Sequence, residues 1–270
     1  MRQLSPVYRW ARWRSFGVRK PRRLSAEELA PWVWELPREA GARTVGLKAA
    51  AAALPAAPVA LNRIDWEQFY GNANPVEIEV GTGKGLFLLN ASIARPGTNF
   101  LGIEIVRKYQ LYAASRYAVR KIPNVKTACA DAKLVLRDFV AVGSVQAVHV
   151  YFPDPWWKAR HKKRRVFTPE FAADAARAIR EGGRLYIATD VEEYFGVMTA
   201  IVGAMPCFEL RPAEEQLAAP RTDAGFATNF ERKALEKGGG VWRAVYERTS
   251  APVTVAADPT EAENEGTSSD

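Results

Sequence analysis

The chain has 270 residues, a formal net charge of +8 and an isoelectric point near 9.5. Its hydrophobic fraction of 48% suffices for one large domain with appendages, and excludes a wholly disordered chain. Cys129 and Cys207 lack CxxC spacing and the two histidines are scattered, so no structural metal site is expected. No apolar run reaches the roughly 18 residues that span a bilayer. No apolar signal region follows the N-terminal arginines, so the expected location is the cytoplasm.

The charge is unevenly spread. Residues 249–270 hold five acids and no Lys or Arg, so taking them away from +8 leaves +13 on residues 1–248. A body that basic favours a polyanionic partner such as nucleic acid. Three regions are expected: a basic arm and linker over 1–60, a catalytic domain over 61–248, and an acidic tail over 249–270.

Residues 1–23 carry eight cations and no acid, with Tyr8, Trp10, Trp13 and Phe16 interleaved. That composition suits either a basic tail or an arm that orders on RNA by stacking and phosphate neutralisation. Ser25 followed by Glu28 is a capping pattern that predicts a helix within Leu24–Glu39. The Ala-rich stretch 47–60 has no polar face and reads as linker or weak helix.

From Pro75 the pattern becomes regular. Strands are predicted at 76–80, 99–104, 125–130, 146–152, 184–188, 207–211 and 241–248. Helices are predicted at 86–94, 106–121, 132–140, 169–180 and 192–204, with Thr168 and Pro169 starting the fourth and Gly182-Gly183 stopping it. Alternation of this kind gives an α/β fold: a doubly wound, mostly parallel seven-stranded sheet, Rossmann-like, with a basic N-terminal extension. Ligands of such sheets sit beyond the carboxyl ends of the strands. Glu79, Glu104, Asp131, Asp154 and Asp190 all fall there.

The turn Gly81-Thr-Gly83-Lys-Gly85 after the first strand lets a cofactor approach the backbone, because glycine has no Cβ. Its spacing is GxGxG, not the GxGxxG of dinucleotide sites. Glu79 would repel a pyrophosphate, and suits a cationic or zwitterionic ligand; S-adenosylmethionine fits. Glu104, at the next strand end, is placed to accept ribose hydroxyls, a feature that dehydrogenases share. Asp131 can accept from an adenine amino group or simply cap the helix that follows. Asp190 has the same two readings. Trp242 reads as a core residue of an alternating strand.

The most informative stretch is Val148–Arg165. An apolar run is stopped by Pro153 and Pro155, which hold Asp154 between them, and Trp156 and Trp157 follow. Lys158, Arg160, Lys162, Lys163, Arg164 and Arg165 then put six cations into eight residues. A basic run alone is often just a solvated loop. An acid at a strand end, aromatics and a basic run together suit a base attached to phosphates.

These residues resemble a known family, the bacterial tRNA (guanine-N7)-methyltransferases. The resemblance lies in Ile78–Gly85, Gly102-Ile-Glu104, Asp131-Ala132, Phe152-Pro-Asp-Pro-Trp156 with Lys158, and Arg160–Arg165. It continues through Thr189-Asp190, Thr228-Asn229-Phe230-Glu231 and Gly240-Val-Trp242, and more loosely through Arg14-Ser-Phe16 and Arg23-Leu24. It implies an S-adenosylmethionine site lined by Glu79, Glu104, Asp131 and Asp154. It also implies tRNA contacts from Lys158, Asp190 and Thr228 to Glu231, and methylation of the guanine at tRNA position 46. Monomeric and homodimeric states are both compatible with it. Trp157 and the 249–270 tail depart from the family pattern. An NAD-dependent oxidoreductase and a non-catalytic RNA-binding module are the competing readings. Glu79 and the glycine spacing disfavour the first, the full set of cofactor-side acids the second.

Overall fold

A computed structural model describes residues 24–37, 63–156, 164–212, 228 and 240–256. Strands β1 (Val33–Trp34), β2 (Val76–Val80), β3 (Asn99–Glu104), β4 (Val125–Cys129), β5 (Val145–Tyr151), β6 (Ile179–Thr189), β7 (Phe208–Leu210) and β8 (Trp242–Arg248) form one sheet. Their spatial order is β1-β4-β3-β2-β5-β6-β8-β7, and only the pairings made by β8 are antiparallel. All residues of β2 and β3 are buried, as expected for central parallel strands covered on both faces. The doubly wound, mostly parallel prediction is met.

Helices α3 (Leu86–Ala94) and α4 (Arg107–Val119) cover one face, where Phe87, Leu88 and Tyr117 pack with Phe100 and Val125. Helices α5 (Ala132–Phe139), α6 (Pro169–Ala178) and α7 (Glu192–Gly203) cover the other, packing Phe139, Phe171 and Met198 against Ile78, Val148 and Leu185. Among the described residues no helix is long and apolar enough to cross a membrane.

Three expectations are corrected. The capping box at Ser25 and Glu28 forms, but it starts only the four-residue α1 (Ala26–Leu29). Pro31 converts the chain to a 3-10 turn, and Val33-Trp34 then pairs with β4 as an edge strand. The sheet therefore has eight strands, not seven. A second short helix, α2 (Trp66–Tyr70), was not legible; Asp65 caps it, Gly71 ends it at φ +73°, and its Phe69 ring meets both Trp34 and Trp66 edge-on. Finally, the pair Gly182-Gly183 lies inside β6 and does not stop a helix. Helix α6 ends at Ala178, Ile179 already pairs with Val145, and the register then shifts so that Arg184 meets Ala147. The intervening residues form the irregularity, with Gly182 at φ +72° and Gly183 pressed against Gln146.

Residues just past β8 also pack against the body. Thr249 donates its N–H to the Cys207 carbonyl, and Ala251, Val253 and Ala256 pack on the core. The expected basic arm (1–23), the Ala-rich linker (47–60) and residues 257–270 lie outside the described residues.

The bulge generates a test. A Cβ on Gly183 would lie 2.6 Å from the Gln146 carbonyl oxygen and 2.8 Å from that of Arg180. Gly183→Ala should destabilise by about 1–3 kcal/mol through overpacking. Gly196→Ala, in open space within α7, should stabilise by about 0.5–1 kcal/mol. Thermal melts of the two variants check the contrast, which requires opposite signs.

Candidate active site

The order reverses beside β2, with β3 on one flank and β5 on the other, so a crevice opens past the carboxyl ends of these strands. The glycine turn lies at its centre. Gly81, Gly83 and Gly85 have φ of +74°, +55° and +68°, a region that residues with a Cβ rarely adopt. The three have different jobs. A Cβ on Gly81 would meet nothing within 4 Å, and one on Gly83 only the Gly81 oxygen at 3.9 Å, so this part of the turn is open. A Cβ on Gly85 would fall 2.1 Å from the Tyr117 hydroxyl and 2.7 Å from Ala113 Cβ, so Gly85 seats α3 on α4.

Glu79 is buried, and its carboxylate accepts a short hydrogen bond from the Thr82 hydroxyl. Burial pushes its pKa up to about 8; Thr82 opposes that rise and the nearby charge of Glu104 adds to it. Glu104 is also buried, and its two oxygens accept from the backbone N–H of Gly83 and of Val106, each at 2.8 Å. It thereby ties the glycine turn to the start of α4. Asp131 is half-buried and caps α5, accepting from the Lys133 N–H at 2.9 Å.

Asp154 is exposed, at the end of a sharply turned backbone. The Phe152 N–H still donates to Ala188, but Phe152 itself sits at φ +52° and Trp156 at φ +44°. Left-handed conformations of such bulky residues cost about 1–3 kcal/mol each and persist only where the surroundings enforce them. One enforcing contact is Arg165, whose Nε donates to the Pro155 carbonyl at 2.6 Å while its guanidinium lies over the Tyr194 ring.

Arg165 departs from the expected run of phosphate-binding cations: it is buried, and it clamps the loop from below. Arg164 is exposed beside Trp156, 5.1 Å from the ring centroid. Asp190 is exposed and is not the cap of α7; that position is Val191, whose N–H is taken by Thr189 Oγ1. Trp242, expected in the core, is only half-buried. Thr228 is buried. Trp157, Lys158, Arg160, Lys162, Lys163, Asn229, Phe230 and Glu231 lie outside the described residues.

Sequence reading missed a buried polar chain beneath this edge. Glu77 accepts from both Arg95 terminal nitrogens, at 2.5 and 2.9 Å, and from His149 Nε2 at 2.8 Å. His149 Nδ1 lies 3.0 Å from the Tyr151 hydroxyl, and the imidazole stacks on Tyr186. Burial alone would raise Glu77, but the hydrogen bonds from His149 and Arg95 outweigh it and hold the carboxyl at about 2. Burial pulls His149 down, against the attraction of Glu77. The neutral ring therefore donates from Nε2 to Glu77 and accepts the Tyr151 hydroxyl proton at Nδ1. The overlooked signal was two glutamates in an apolar β2, both pointing to the same face.

The sheet order and the open glycine turn are those of a Rossmann-like α/β fold, and with the family match that follows they make this a class I methyltransferase. Glu79 fits S-adenosylmethionine on charge, since the charge acting on it within the described residues is that of another carboxylate, Glu104. A family model described as "Putative methyltransferase" matches residues 73–244. The tRNA (guanine-N(7)-)-methyltransferase of Rhodopirellula baltica is 40% identical over 192 residues, spanning 69% of this chain and 71% of that protein. Its counterpart from Bordetella pertussis is 38% identical over 191 residues, 71% and 74% of the two chains. The chain belongs to the tRNA (guanine-N7)-methyltransferase family, and it is an S-adenosylmethionine-dependent methyltransferase.

The two glutamates of β2 should give the cofactor-free protein a peaked pH–stability profile. Glu77, depressed to about 2, stabilises above its unfolded value of 4.5 and loses that contribution as pH falls towards 2. Glu79, raised to about 8, is protonated in the fold, so stability declines as pH rises from 4.5 towards 8. Urea unfolding across this range should show Glu79→Gln flattening the alkaline side only. Glu77→Gln should cost about 2–3 kcal/mol near neutrality, because it weakens the partners of Arg95 and His149.

Proposed function

We propose that this enzyme transfers the methyl group of S-adenosylmethionine to N7 of a guanine in tRNA, the guanine at position 46 of the variable loop, in the cytoplasm and as a monomer or homodimer. The observation that carries this reading is Asp154: an exposed carboxylate set by a strained, proline-flanked turn at the end of β5, two strands from Glu104 across the glycine turn. The names of the family relatives supply the substrate class.

Guanine N7 has an in-plane lone pair and carries no proton, so no residue has to deprotonate it. S-adenosylmethionine supplies a methyl group already activated on a sulfonium. What remains for the protein is alignment and stabilisation of the cationic purine product. Glu79 neutralises the cationic end of the cofactor, Gly81 and Gly83 let it approach the backbone, and Gly85 holds the turn on α4. Glu104 has lone pairs left beyond its two backbone bonds and accepts from the ribose. Asp131 accepts from the adenine edge while capping α5. Asp154 either holds the guanine N1–H and N2 edge or stabilises the developing purinium charge electrostatically. Arg164, with Lys158, Arg160, Lys162 and Lys163, binds phosphates; Asp190 and Thr228 to Glu231 complete the tRNA contacts. Arg165 acts through the loop it clamps.

Three experiments test this. Unmodified tRNA incubated with methyl-labelled S-adenosylmethionine should carry label at guanine 46, and label elsewhere or nowhere overturns the assignment. Asp154→Asn should lower kcat by about 100-fold with little change in cofactor Kd, the range seen when one transition-state contact is lost. Glu79 must ionise to meet a cation. Cofactor binding should therefore release a proton below pH of about 8 and tighten as pH rises to it, and Glu79→Gln should abolish both effects in calorimetry.

A further inference from the structure

Helix α4 has an outer face that the reaction does not use. Its inner face, Gln110, Ala113, Ala114 and Tyr117, is buried in the domain. The outer stripe runs Tyr109, Tyr112, Arg116, Arg120 at helical spacing, with Lys108 beside it. Tyr109 and Tyr112 are 40% and 44% exposed, although a helix on a domain surface normally turns its aromatics inward. Between Glu104 and Asp131 the chain carries six cations and no acid, one of them, Arg107, being ion-paired with Glu35 from outside the segment. It is also joined to the site. Lys84, in the glycine turn, lies over the Tyr112 ring at 5.7 Å, and Arg116 Nη1 donates to the Lys84 carbonyl at 2.9 Å.

We propose that this outer face of α4 is a second tRNA-contact surface, which stacks exposed bases on Tyr109 and Tyr112 and neutralises the adjoining backbone with Lys108 and Arg120. Aromatics interleaved with exposed cations such as Lys108 and Arg120 are the combination that an RNA strand satisfies, since each base offers a face and each linkage a charge. A second copy of the chain is the other candidate occupant, and like charge on the two faces would oppose it. The surface flanks β3 and β4, whereas Arg164 and Trp156 flank β5, so a tRNA held at both would lie across the cofactor crevice. The inference rests on tRNA being the substrate.

The full-length enzyme and unmodified tRNA transcripts test it. Tyr109→Ala/Tyr112→Ala should weaken tRNA binding roughly tenfold, in line with the loss of base stacking, and Tyr109→Phe/Tyr112→Phe should retain it. Lys108→Ala/Arg120→Ala should raise the KM for tRNA with kcat preserved and make tRNA affinity less steep in salt by roughly two phosphate contacts. S-adenosylmethionine affinity and Tm should not move in Tyr109→Phe/Tyr112→Phe or in Lys108→Ala/Arg120→Ala. If the wild type methylates tRNA and the alanine variants bind it equally well, the surface is refuted and the reaction stands. A change in oligomeric mass with tRNA affinity intact refutes it in favour of a contact between copies. A wild type that neither binds nor methylates tRNA overturns the surface together with the reaction beneath it.

Discussion

The structure depends on the parallel pairing of β2 with both β3 and β5. This pairing places β2 at the point where the strand order reverses, so the chain must leave the sheet upward on both sides and a crevice is left between. It also buries β2 on both faces, so any charge on that strand has to be matched or carried to its end. The two glutamates of β2 show both solutions. Glu77 is matched inside, by Arg95 and His149. Glu79, two residues nearer the edge, has a hydroxyl for a partner and another acid as its nearby charge. An acid buried in that condition is held protonated, its pKa pushed up to about 8.

Rigidity is spent in the same place. The glycine turn holds three left-handed residues at alternate positions, and the β5 exit holds two more at bulky side chains. The strain at Phe152 and Trp156 is enforced from beneath by Arg165 and the Phe152 bond to Ala188, so Asp154 is presented by a loop with little freedom to retreat. The chain Glu77–His149–Tyr151 serves the same end from the sheet side, since it fixes the last residue of β5 before the turn.

Charge is organised on a larger scale than the site. Glu79, Glu104, Asp131 and Asp154 stand at or just past strand ends, and among the described residues the cations of α4 and Arg164 lie outside them. Cations set apart in this way attract a polyanion at long range, independently of what the acids at the strand ends contact.

Much of this was written in the sequence. Local patterns determined the strand–helix alternation, the glycine turn, the placement of Glu79, Glu104 and Asp131 at strand ends, and the isolation of Asp154 between two prolines, because each depends on neighbours within a few residues. Tertiary structure decided what local pattern cannot encode. Arg165 looks like its neighbours in the basic run, yet the fold turns it inward under Pro155. Gly182-Gly183 looks like a helix stop, yet pairing with β5 draws it into a strand as a bulge. Val33-Trp34 follows a helix cap and becomes an edge strand only because β4 offers it a partner. Glu77 and His149 stand 72 residues apart and meet only when β2 and β5 pair, so no reading of either segment alone could join them.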